Sequence, residues 1–403
     1  MTHNKKKRLL VLTSRFPYPV LGGDRLRIYQ VCKELSNRFS LTLLSICENN
    51  TEMKMPIPTD NVFDRVERVL LPRSKSYFNT LLALVGSTPM QVAYYHSVAF
   101  ARAVRYHLPQ HDAVLSHLIR TAEYVKGSEK PCIIEMTDAI SLNYERVRQL
   151  KNLKGLKVQI YRLEAKRLLT YERQIIKDFD LSVLVSKKDR DFLVGAEHDK
   201  VIVCSNGVAI DHLPFKNRLK SKPVIIYIGN MTTIQNIDAC MYFAREVMPL
   251  VNKKFKAYFR VVGRISDSDA AKLRAMENIE VTGTVEDIAN TVEDARLGVC
   301  PVRLAAGVQN KVLEYMALGL PVITSSIGLE GLAALPERDL LVADTPQKYA
   351  ECIFRLWDND LLKKQLADNG YAYVKANHKW EKNLAPMLDR IEDIIKNKKN
   401  DVK

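Results

Sequence analysis

The segment Ala306–Pro321 reads AGVQNKVLEYMALGLP and combines a glycine loop, an apolar helical pattern and a helix stop. The apolar run LGVCPV precedes it at 297–302, and the run PVITS follows at 321–325. Gly319 ends the predicted helix, and Pro321 prevents its continuation. This order of strand, loop, helix and strand predicts a βαβ unit of a parallel sheet.

The start of this helix has the features of an anion-binding site. Gly307 allows the backbone to approach a ligand closely, and the first amide groups of a helix point outward without partners. The helix dipole is positive at that end, so a phosphate is a natural ligand. A lysine in the first turn, Lys311, is unfavourable at the positive end of the helix dipole unless an anion lies beside it. Glu314, one turn on, could accept hydrogen bonds from two ribose hydroxyls. The alternative is an ordinary helix with both charged side chains solvated.

The same alternation of short apolar runs and helical patterns continues along the chain, as in parallel α/β folds. The first half has a predicted helix near 25–36 and predicted strands at 8–14, 41–46, 113–117, 132–136, 181–186 and 201–208. The second half has a predicted helix near 237–251 and further strands at 223–230, 257–263 and 279–283. A polar, basic stretch at 211–223 is interpreted as a linker. We therefore predict an α/β protein of two Rossmann-like domains whose parallel sheets face a central cleft, with ligands at the carboxyl ends of the strands.

The composition is typical of a soluble globular chain. Of 403 residues, 47% are hydrophobic and 27% are charged, which suits two or three domains. The seven cysteines are scattered without a CxxC pair, so we interpret them as buried reduced thiols of a cytosolic protein. The apolar stretch Leu9–Leu12 is too short for a signal peptide, and no run reaches the about 18 apolar residues of a spanning helix.

The net charge of +15 is compatible with two anionic partners, nucleic acid and a membrane surface. No RNA- or DNA-binding signature accompanies the charge, which favours a membrane surface or an acidic lipid-linked substrate. The stretch from Glu145 to Arg173 holds nine Lys or Arg against three Glu, and is either a solvated helix face or a surface for anionic lipid. A second candidate for membrane contact is Ser74–Gly86, SKSYFNTLLALVG, whose aromatic and aliphatic side chains would insert into a bilayer or cover an acceptor site. We expect a cytoplasmic protein, peripheral at the inner face of the membrane.

The segment LEYMALGLPVITS at 313–325, which contains the helix and its Gly-x-Pro turn, resembles glycosyltransferase family 4. This family comprises retaining enzymes of GT-B fold. The family has a glycine loop, a Leu-Glu-Ala-Met-Ala helix and then Gly-x-Pro-Val. The form GVQNKVLEYMA resembles the branch that assembles bacterial exopolysaccharide and capsule. The resemblance implies that Glu314 binds the donor ribose. The family usually has a second glutamate eight positions earlier, where this chain has Ala306, so no acidic catalytic role is implied for this loop.

The resemblance extends to the start of the chain. FPYPVLGGDRLRIYQVCKELS at 16–36 resembles the family's Gly-Gly loop. This implies that the amides of Gly22 and Gly23 approach the donor diphosphate or the acceptor.

The strand ends of the first half also match family positions. His117 matches the second histidine of the family's Asp-x-x-His-x-His pattern, which approaches the donor sugar, whereas the first histidine is Leu115 here. Arg120 and Asp138 are predicted on the acceptor side, Arg120 as a cation that holds an anionic substrate. The structural alternative for His117 is an ordinary histidine at a strand end.

The loop GNMTTIQNID at 229–238 matches the family loop in which an arginine and a lysine hold the diphosphate. These positions are the neutral Asn230 and Asn236 here, so we expect Lys311 and Arg303 to supply the positive charge. The predicted donor-binding residues are Gly22, Gly23, Gly229, Asn230, Val285, Arg303, Gly307, Val308 and Gln309, with Arg264 as a further cation. Val285 lies in VTGTVEDI, which resembles the loop that holds the nucleobase through backbone groups.

The predicted catalytic residues are His117, Lys311 and Glu314. The resemblance implies front-face displacement, in which the donor phosphate takes the acceptor proton and the protein positions the substrates and stabilises the leaving diphosphate. We expect a nucleotide-diphosphate sugar as donor, a lipid-linked or polysaccharide acceptor, no cofactor and no metal. The predicted domains are 1–206 on the acceptor side, 207–379 for the nucleotide sugar, and a helix at 380–403 that returns toward the first domain.

Three alternatives remain open at this point. A GT-B-like epimerase would act on a nucleotide sugar without releasing a glycoside. A non-catalytic assembly protein would keep the fold, which the changes at Ala306, Asn230 and Asn236 make a real alternative. A nucleotide-binding oxidoreductase is disfavoured because no GxGxxG follows the first predicted strand.

Overall fold

A computed structural model describes residues 6–20, 22–148, 156–217 and 221–400 of the chain. The chain divides into two compact units, the first formed by Met1–Ser205 with Leu384–Lys403, the second by Asn206–Asn383. The later division falls inside the helix Trp380–Asn400, so this helix begins in the second unit and ends in the first. Residues 1–5, and residues 149–155 of the basic stretch, lie outside the described residues.

The described residues of the first unit form a sheet of seven parallel strands in the order β3-β2-β1-β4-β5-β6-β7. The strands are β1 (Lys7–Thr13), β2 (Phe39–Cys47), β3 (Arg65–Leu70), β4 (Ala113–His117), β5 (Cys132–Thr137), β6 (Leu181–Leu184) and β7 (Val201–Val203). Apolar side chains on both faces are buried, and Leu9, Leu10 and Val11 are fully shielded from solvent. Burial on both faces is why the central strands appear in the sequence as continuous apolar runs.

The helices of the first unit cover this sheet. They are α1 (Gly23–Ser36), α2 (Asn50–Lys54), α3 (Arg73–Leu82), α4 (Met90–Tyr94), α5 (Val98–His107), α6 (Ile140–Arg148), α7 (Leu156–Asp178) and α8 (Lys187–Val194). Side-chain caps fix where several of them begin. Ser97 accepts a hydrogen bond from the Phe100 amide, and Ser186 accepts one from the Asp189 amide.

The second unit repeats the plan with six parallel strands in the order β10-β9-β8-β11-β12-β13. The strands are β8 (Val224–Ile228), β9 (Tyr258–Val262), β10 (Ile279–Gly283), β11 (Leu297–Cys300), β12 (Val322–Thr324) and β13 (Leu341–Val342). The helices are α9 (Ile234–Tyr242), α10 (Met248–Asn252), α11 (Asp267–Arg274), α12 (Ile288–Thr291), α13 (Asn310–Ala317), α14 (Ser326–Leu329), α15 (Pro346–Trp357) and α16 (Asp360–Asn377), followed by α17 (Trp380–Asn400), which passes from the second unit into the first.

The predicted α/β class with parallel sheets is confirmed, and each predicted strand exists, at 113–117 and 279–283 with the predicted bounds and elsewhere with bounds that differ by up to five residues. Two strands were missed, β3 and β13, which lie at sheet edges. The helix predicted near 237–251 is confirmed in position, but it is not one regular α-helix. The structure has α9 and α10 separated by a π-helical turn at Phe243–Val247.

In each sheet the strand order reverses direction once, between β1 and β4 in the first unit and between β8 and β11 in the second. Such a switch point opens a crevice at the carboxyl ends of the strands, where ligands of open parallel sheets bind. The segments after β1, β4, β8 and β11 are therefore where functional side chains belong.

All seven cysteines are buried and none forms a disulfide, as predicted. Among the described residues, none of the helices combines the length and the apolar character that crossing a bilayer requires.

Candidate active site

His117 lies at the switch point of the first unit. It is the last residue of β4, where it is paired in register with Thr13 of β1 and with Glu135 of β5. Its side chain is 5% exposed, and its Nδ1 lies 2.7 Å from the Glu135 carboxylate. Glu135 therefore fixes the orientation of the imidazole. Nε2 has no hydrogen-bond partner in the described part of the chain, so it is available to a substrate.

Glu135 is the centre of a buried charged network. Its carboxylate is fully shielded, accepts a hydrogen bond from Arg27 Nε at 3.1 Å and another from the Thr137 hydroxyl at 3.0 Å. Burial alone would raise the pKa of Glu135, but Arg27 and His117 hold it at about 2. Arg27 is itself 1% exposed and donates to the Ser205 carbonyl. The carboxylate thus stays ionised and orients His117 from behind.

The backbone is strained where these two strands end. Leu118, directly after His117, has φ +62°, and Thr137, at the end of β5, has φ +64°. Residues with a Cβ adopt this left-handed region at a cost, and such outliers cluster at functional sites. The two residues turn the chain sharply at adjacent strand ends.

Arg120 and Asp138 lie near this strained edge. Arg120 packs its guanidinium over the Tyr95 ring at 5.3 Å and donates to Gln91, while its Nη1 is buried without a partner among the described residues. Asp138 has its pKa raised to about 7, first by burial and then by the neighbouring Asp189 carboxylate, with Arg120 opposing. The two predicted acceptor-side residues, Arg120 and Asp138, therefore lie close enough for the guanidinium to influence the carboxyl group electrostatically.

Asp24, in the first turn of α1, belongs to the same neighbourhood. Burial raises the pKa of Asp24, but Arg15, Arg120 and His117 together lower it below its usual value. The predicted Gly-Gly turn precedes Asp24: Gly22 has φ +91°, and Gly23 is the first residue of α1. The amides at the start of α1 thus lie on the His117 side of the first unit.

In the second unit, α13 begins with the loop that the sequence identified. Gly307 has φ +68°, Gln309 is the N-terminal cap residue, and no side chain caps the helix. The packing of α13 on the sheet depends on Tyr315, whose hydroxyl accepts a hydrogen bond from the Ile228 amide at 2.7 Å. A Cβ added to Gly298 of β11 would lie 2.5 Å from the Tyr315 ring, so that glycine makes room for it. The open amide groups of α13 are thereby fixed beside the end of β8.

Lys311 is buried at this position with only neutral partners. The residue is 9% exposed, and its Nζ donates to Asn236 Oδ1 at 2.9 Å and lies 4.8 Å from the centre of the Tyr227 ring. Tyr227 donates its hydroxyl to the same Asn236 oxygen at 2.6 Å. No carboxylate of the described residues pairs with Lys311. A buried cation without an anion is costly, so an anionic ligand would stabilise this arrangement.

Glu314 follows one turn later and is partly exposed. Burial raises its pKa above the usual value, and Lys311 opposes the shift. Within the described ranges its carboxylate has no hydrogen bond or ion pair. The carboxylate is therefore open to hydroxyl donors.

The loop after β8 joins this cluster. Asn236 donates from Nδ2 to the Asn230 carbonyl at 3.0 Å, and the Gly229 amide donates to Val262. Gly263 has φ +125°, and a Cβ there would lie 2.0 Å from the Gly229 oxygen, so the two loops meet more closely than another residue would permit. Gly229, Asn230 and Lys311 are thus brought together.

The other predicted cations differ from Lys311. Arg303 forms an ion pair with Asp238 at 2.6 Å and lies over the Tyr242 ring, so a carboxylate already balances its charge. The Arg264 side chain is exposed, and its carbonyl accepts the Met231 amide. Lys311 is therefore the stronger candidate for the diphosphate.

The remaining predicted donor residues are placed as follows. Val308 is buried beside Gly307, and Gln309 donates to the Ala306 carbonyl at 3.5 Å. Val285 is partly exposed two residues after Gly283, the end of β10, where φ is +77°. Backbone groups of this turn are thus accessible to a ligand.

The sequence analysis missed Glu135, Arg27 and Tyr227. A signal existed for Glu135, because a glutamate inside the apolar run CIIEM is unusual for a buried strand. Its partners were not predictable, since Arg27 is 108 residues away. The described residues contain no group of three or more His, Cys, Asp or Glu arranged to hold a metal ion.

Comparison with known proteins gives one match to a family model and several structural likenesses. Residues 222–359 match the family model described as Glycosyl transferases group 1. An uncharacterized 44.6 kDa protein in the cps region of Klebsiella pneumoniae is 22% identical over 52% of this chain and 56% of its own. Glycosyltransferase 1 domain-containing protein 1 of Xenopus tropicalis is 24% identical over 37% of this chain and 45% of its own. The chain thus spans about half the length of the curated relatives it matches.

Solved structures resemble the chain over almost its whole length. Sucrose-phosphate synthase from Thermosynechococcus elongatus has a TM-score of 0.75 at 15% identity, covering 97% of this chain and 100% of the other. Anabaena Alr3699/HepE in complex with UDP has a TM-score of 0.66 at 12% identity, covering 96% and 100%. TarM has a TM-score of 0.65 at 10% identity, covering 97% and 99%. These likenesses show the fold.

Proposed function

We propose that this protein transfers a sugar from a nucleotide-diphosphate sugar to a polysaccharide or lipid-linked acceptor, because residues 222–359 match the model of the group 1 glycosyl transferases and the chain has the GT-B fold. The second unit binds the donor, and the first unit supplies the acceptor-side groups. The proposed reaction retains the anomeric configuration, as the resemblance to family 4 implies.

The observation that carries this proposal is the buried Lys311 at the uncapped start of α13. Its ammonium group has the neutral Asn236 as hydrogen-bond partner, and the helix dipole is positive at the same place. A diphosphate would compensate both charges. Glu314, one turn on, would accept the ribose hydroxyls, and the amides of Gly307, Val308 and Gln309 would donate to phosphate oxygens.

The comparisons support a nucleotide sugar as donor. The structurally similar Anabaena Alr3699/HepE has been solved with UDP and with UDP-glucose. A uridine diphosphate sugar is therefore the first donor to test. The base would contact the turn that contains Val285.

In the proposed chemistry, the acceptor oxygen forms a bond to the anomeric carbon while the bond from that carbon to the diphosphate breaks. The acceptor proton passes to the leaving phosphate oxygen, so no protein carboxylate is needed at Ala306. Lys311 and the helix amides stabilise the departing charge, which is why we propose transfer without a metal ion. We assign Nε2 of His117, which Glu135 orients, to the sugar, and Arg120 and Asp138 to the acceptor.

The acceptor proposal has a separate basis. The relative in the cps region of Klebsiella pneumoniae supports a role in building a cell-surface polysaccharide such as capsule. The family branch that GVQNKVLEYMA resembles points to the same class of acceptor.

The donor proposal can be tested by a thermal-shift screen of UDP-, GDP- and TDP-sugars, followed by product analysis with the labelled donor, with and without EDTA. We expect one base to raise the melting temperature, and Lys311→Ala to weaken that donor about 100-fold, since a buried charge-assisted contact is lost. Lys253→Ala, at an exposed position of the same unit, is the matched control.

Two results would contradict the proposal. If none of the three sugars shifted the melting temperature, donor binding would be wrong. If a donor bound but its sugar were only epimerised, or never reached an acceptor, the epimerase or the non-catalytic assembly role would replace transfer.

A further inference from the structure

Helix α3 and the turn Ala83–Val85 that follows it present an apolar surface to solvent. The exposed side chains are Tyr77 (65%), Phe78 (60%), Leu81 (62%), Leu82 (58%), Leu84 (41%) and Val85 (95%). We call these six residues the α3 face. Contiguous exposed apolar residues of this kind usually mark a binding surface.

The inner side of the same helix is polar. Ser76 is fully buried, Asn79 donates to the His96 carbonyl at 2.9 Å, and Thr80 donates to the Ser76 carbonyl. A surface helix normally places its apolar stripe toward the core and its polar residues outward. The polarity of α3 is therefore reversed, which indicates that its outer face is covered when the protein works.

The border of the α3 face is positively charged. Residues 71–107, which include α3, contain no aspartate or glutamate. Lys75 is exposed on α3 itself, whereas Arg73 is already paired with Glu48 at 3.1 Å. Helix α7 lies alongside, because Arg167 donates to the carbonyls of Ala83 and Leu84. On the same helix, Arg162 and Lys166 are exposed.

We propose that the α3 face docks on an anionic lipid surface. Apolar side chains enter the boundary between headgroups and acyl chains, while surrounding Lys and Arg contact anionic headgroups. A second copy of this chain fits poorly, because a symmetric contact would place the two basic borders against each other. This proposal concerns the part of the basic stretch that the structure describes, together with the predicted segment Ser74–Gly86.

Aromatic contacts connect the α3 face to the acceptor-side residues. The Tyr77 and Tyr94 rings are 5.8 Å apart, those of Tyr94 and Tyr95 are 4.9 Å apart, and Arg120 lies over Tyr95. A lipid-linked acceptor anchored at the α3 face would therefore have its headgroup near Arg120. This last step rests on the proposed function, whereas docking itself does not.

The test is co-sedimentation of the full chain with vesicles of phosphatidylcholine, alone or mixed with phosphatidylglycerol. We expect binding only to the mixed vesicles, lost at high salt, and weakened about tenfold or more by Phe78→Ser/Leu81→Ser/Val85→Ser. Leu335→Ser/Leu361→Ser removes apolar residues of similar exposure, 49% and 69%, from the second unit and is the matched control. Lys75→Glu/Lys166→Glu should also weaken binding, with Lys253→Glu as its control.

The proposal would be overturned if the unaltered protein did not bind the mixed vesicles at low salt, or if the triple serine variant bound them equally well. It would also be overturned if the protein formed a dimer without lipid and the triple serine variant were monomeric. Thermal shift with the donor is measured on each variant and should not change. A loss of lipid binding with intact donor binding thus separates this proposal from the proposed function, and intact melting temperatures exclude misfolding.

Discussion

Both units place charged side chains at equivalent switch points. In the first unit these charges are paired with each other, whereas in the second unit they form no ion pair among the described residues. In the first unit, Glu135 is ionised between Arg27 and His117, and each charge has a partner within 3.1 Å. In the second unit, Lys311 contacts the amide oxygen of Asn236 and the ring of Tyr227, and Glu314 has no hydrogen bond or ion pair among the described residues. Burial of charge costs free energy unless it is compensated.

The difference indicates which part of each site is complete before a ligand arrives. The charges of the first unit compensate one another, so their task is to hold His117 in one orientation. The cation of the second unit forms no ion pair among the described residues and interacts with Glu314 only through space, so an anionic ligand would complete its compensation. An uncompensated buried charge is therefore the better guide to an anionic ligand, and a compensated one to a positioning role.

The largest effect should follow from breaking the compensated network. Glu135→Gln leaves Arg27 buried without its carboxylate, which should cost the first unit about 3 kcal/mol of unfolding free energy at neutral pH. Denaturation followed by circular dichroism would show this loss. Trp357 and Trp380, which belong to the second unit, should report an unchanged transition by fluorescence. Equal shifts in both signals, or in neither, would show that the network does not act as described.

A smaller effect should come from giving Lys311 the carboxylate that it lacks. Asn236→Asp would convert the 2.9 Å contact into an ion pair but would lose the hydrogen bond from Nδ2 to the Asn230 carbonyl. Because the ion pair forms with a buried cation, we expect it to outweigh this loss, and the second unit should become more stable without ligand. The donor would have to compete with this pair, and its affinity should fall about tenfold. Calorimetric titration with UDP measures the affinity, and tryptophan fluorescence the stability. In a Lys311→Ala background the same substitution should no longer stabilise; if it still did, the ion pair would not be the cause.

The smallest effect concerns pH. The pKa of Glu314 is raised by burial, so its carboxylate is protonated at a higher pH than an exposed glutamate. Only the ionised form accepts two ribose hydroxyl bonds, so affinity for UDP-glucose should fall a few-fold as the pH decreases through that pKa. UDP-glucose is preferred to UDP because its diphosphate has no secondary proton. Glu314→Gln should bind weakly at every pH without this dependence, and a flat profile for the unaltered protein would contradict the assignment.

The fold was largely predictable because central parallel strands are buried on both faces. Their apolar runs are continuous, as in AVLSH at 113–117, which the structure confirms residue for residue. The missed strand β3 reads RVERVL, where charged residues interrupt the run because an edge strand is half exposed. The two-residue β13 is too short to give any pattern.

The candidate site was predictable only where it is local in sequence. Gly307, Lys311 and Glu314 fall within eight residues, so one loop and one helical turn specify them. The contact of His117 with Glu135 depends on the register of β4 against β5, and the contact with Arg27 on where α1 packs. Such contacts come from topology, and no spacing in the sequence encodes them. The neutral surroundings of Lys311 likewise required the position of Asn236, 75 residues away.

The division of the chain inside α17 limits the order in which the two units can complete their folding. The first unit begins at the start of the chain but includes residues from Leu384 onward, where Leu384 and Ile391 are fully buried and Asp389 pairs with Arg38. During synthesis, the first unit therefore lacks part of its core until the second has been translated. The second unit is one uninterrupted stretch and could be expressed alone as 206–383, whereas a fragment ending at Ser205 would expose the surface that α17 covers. Dissection of this protein should thus start from its second half.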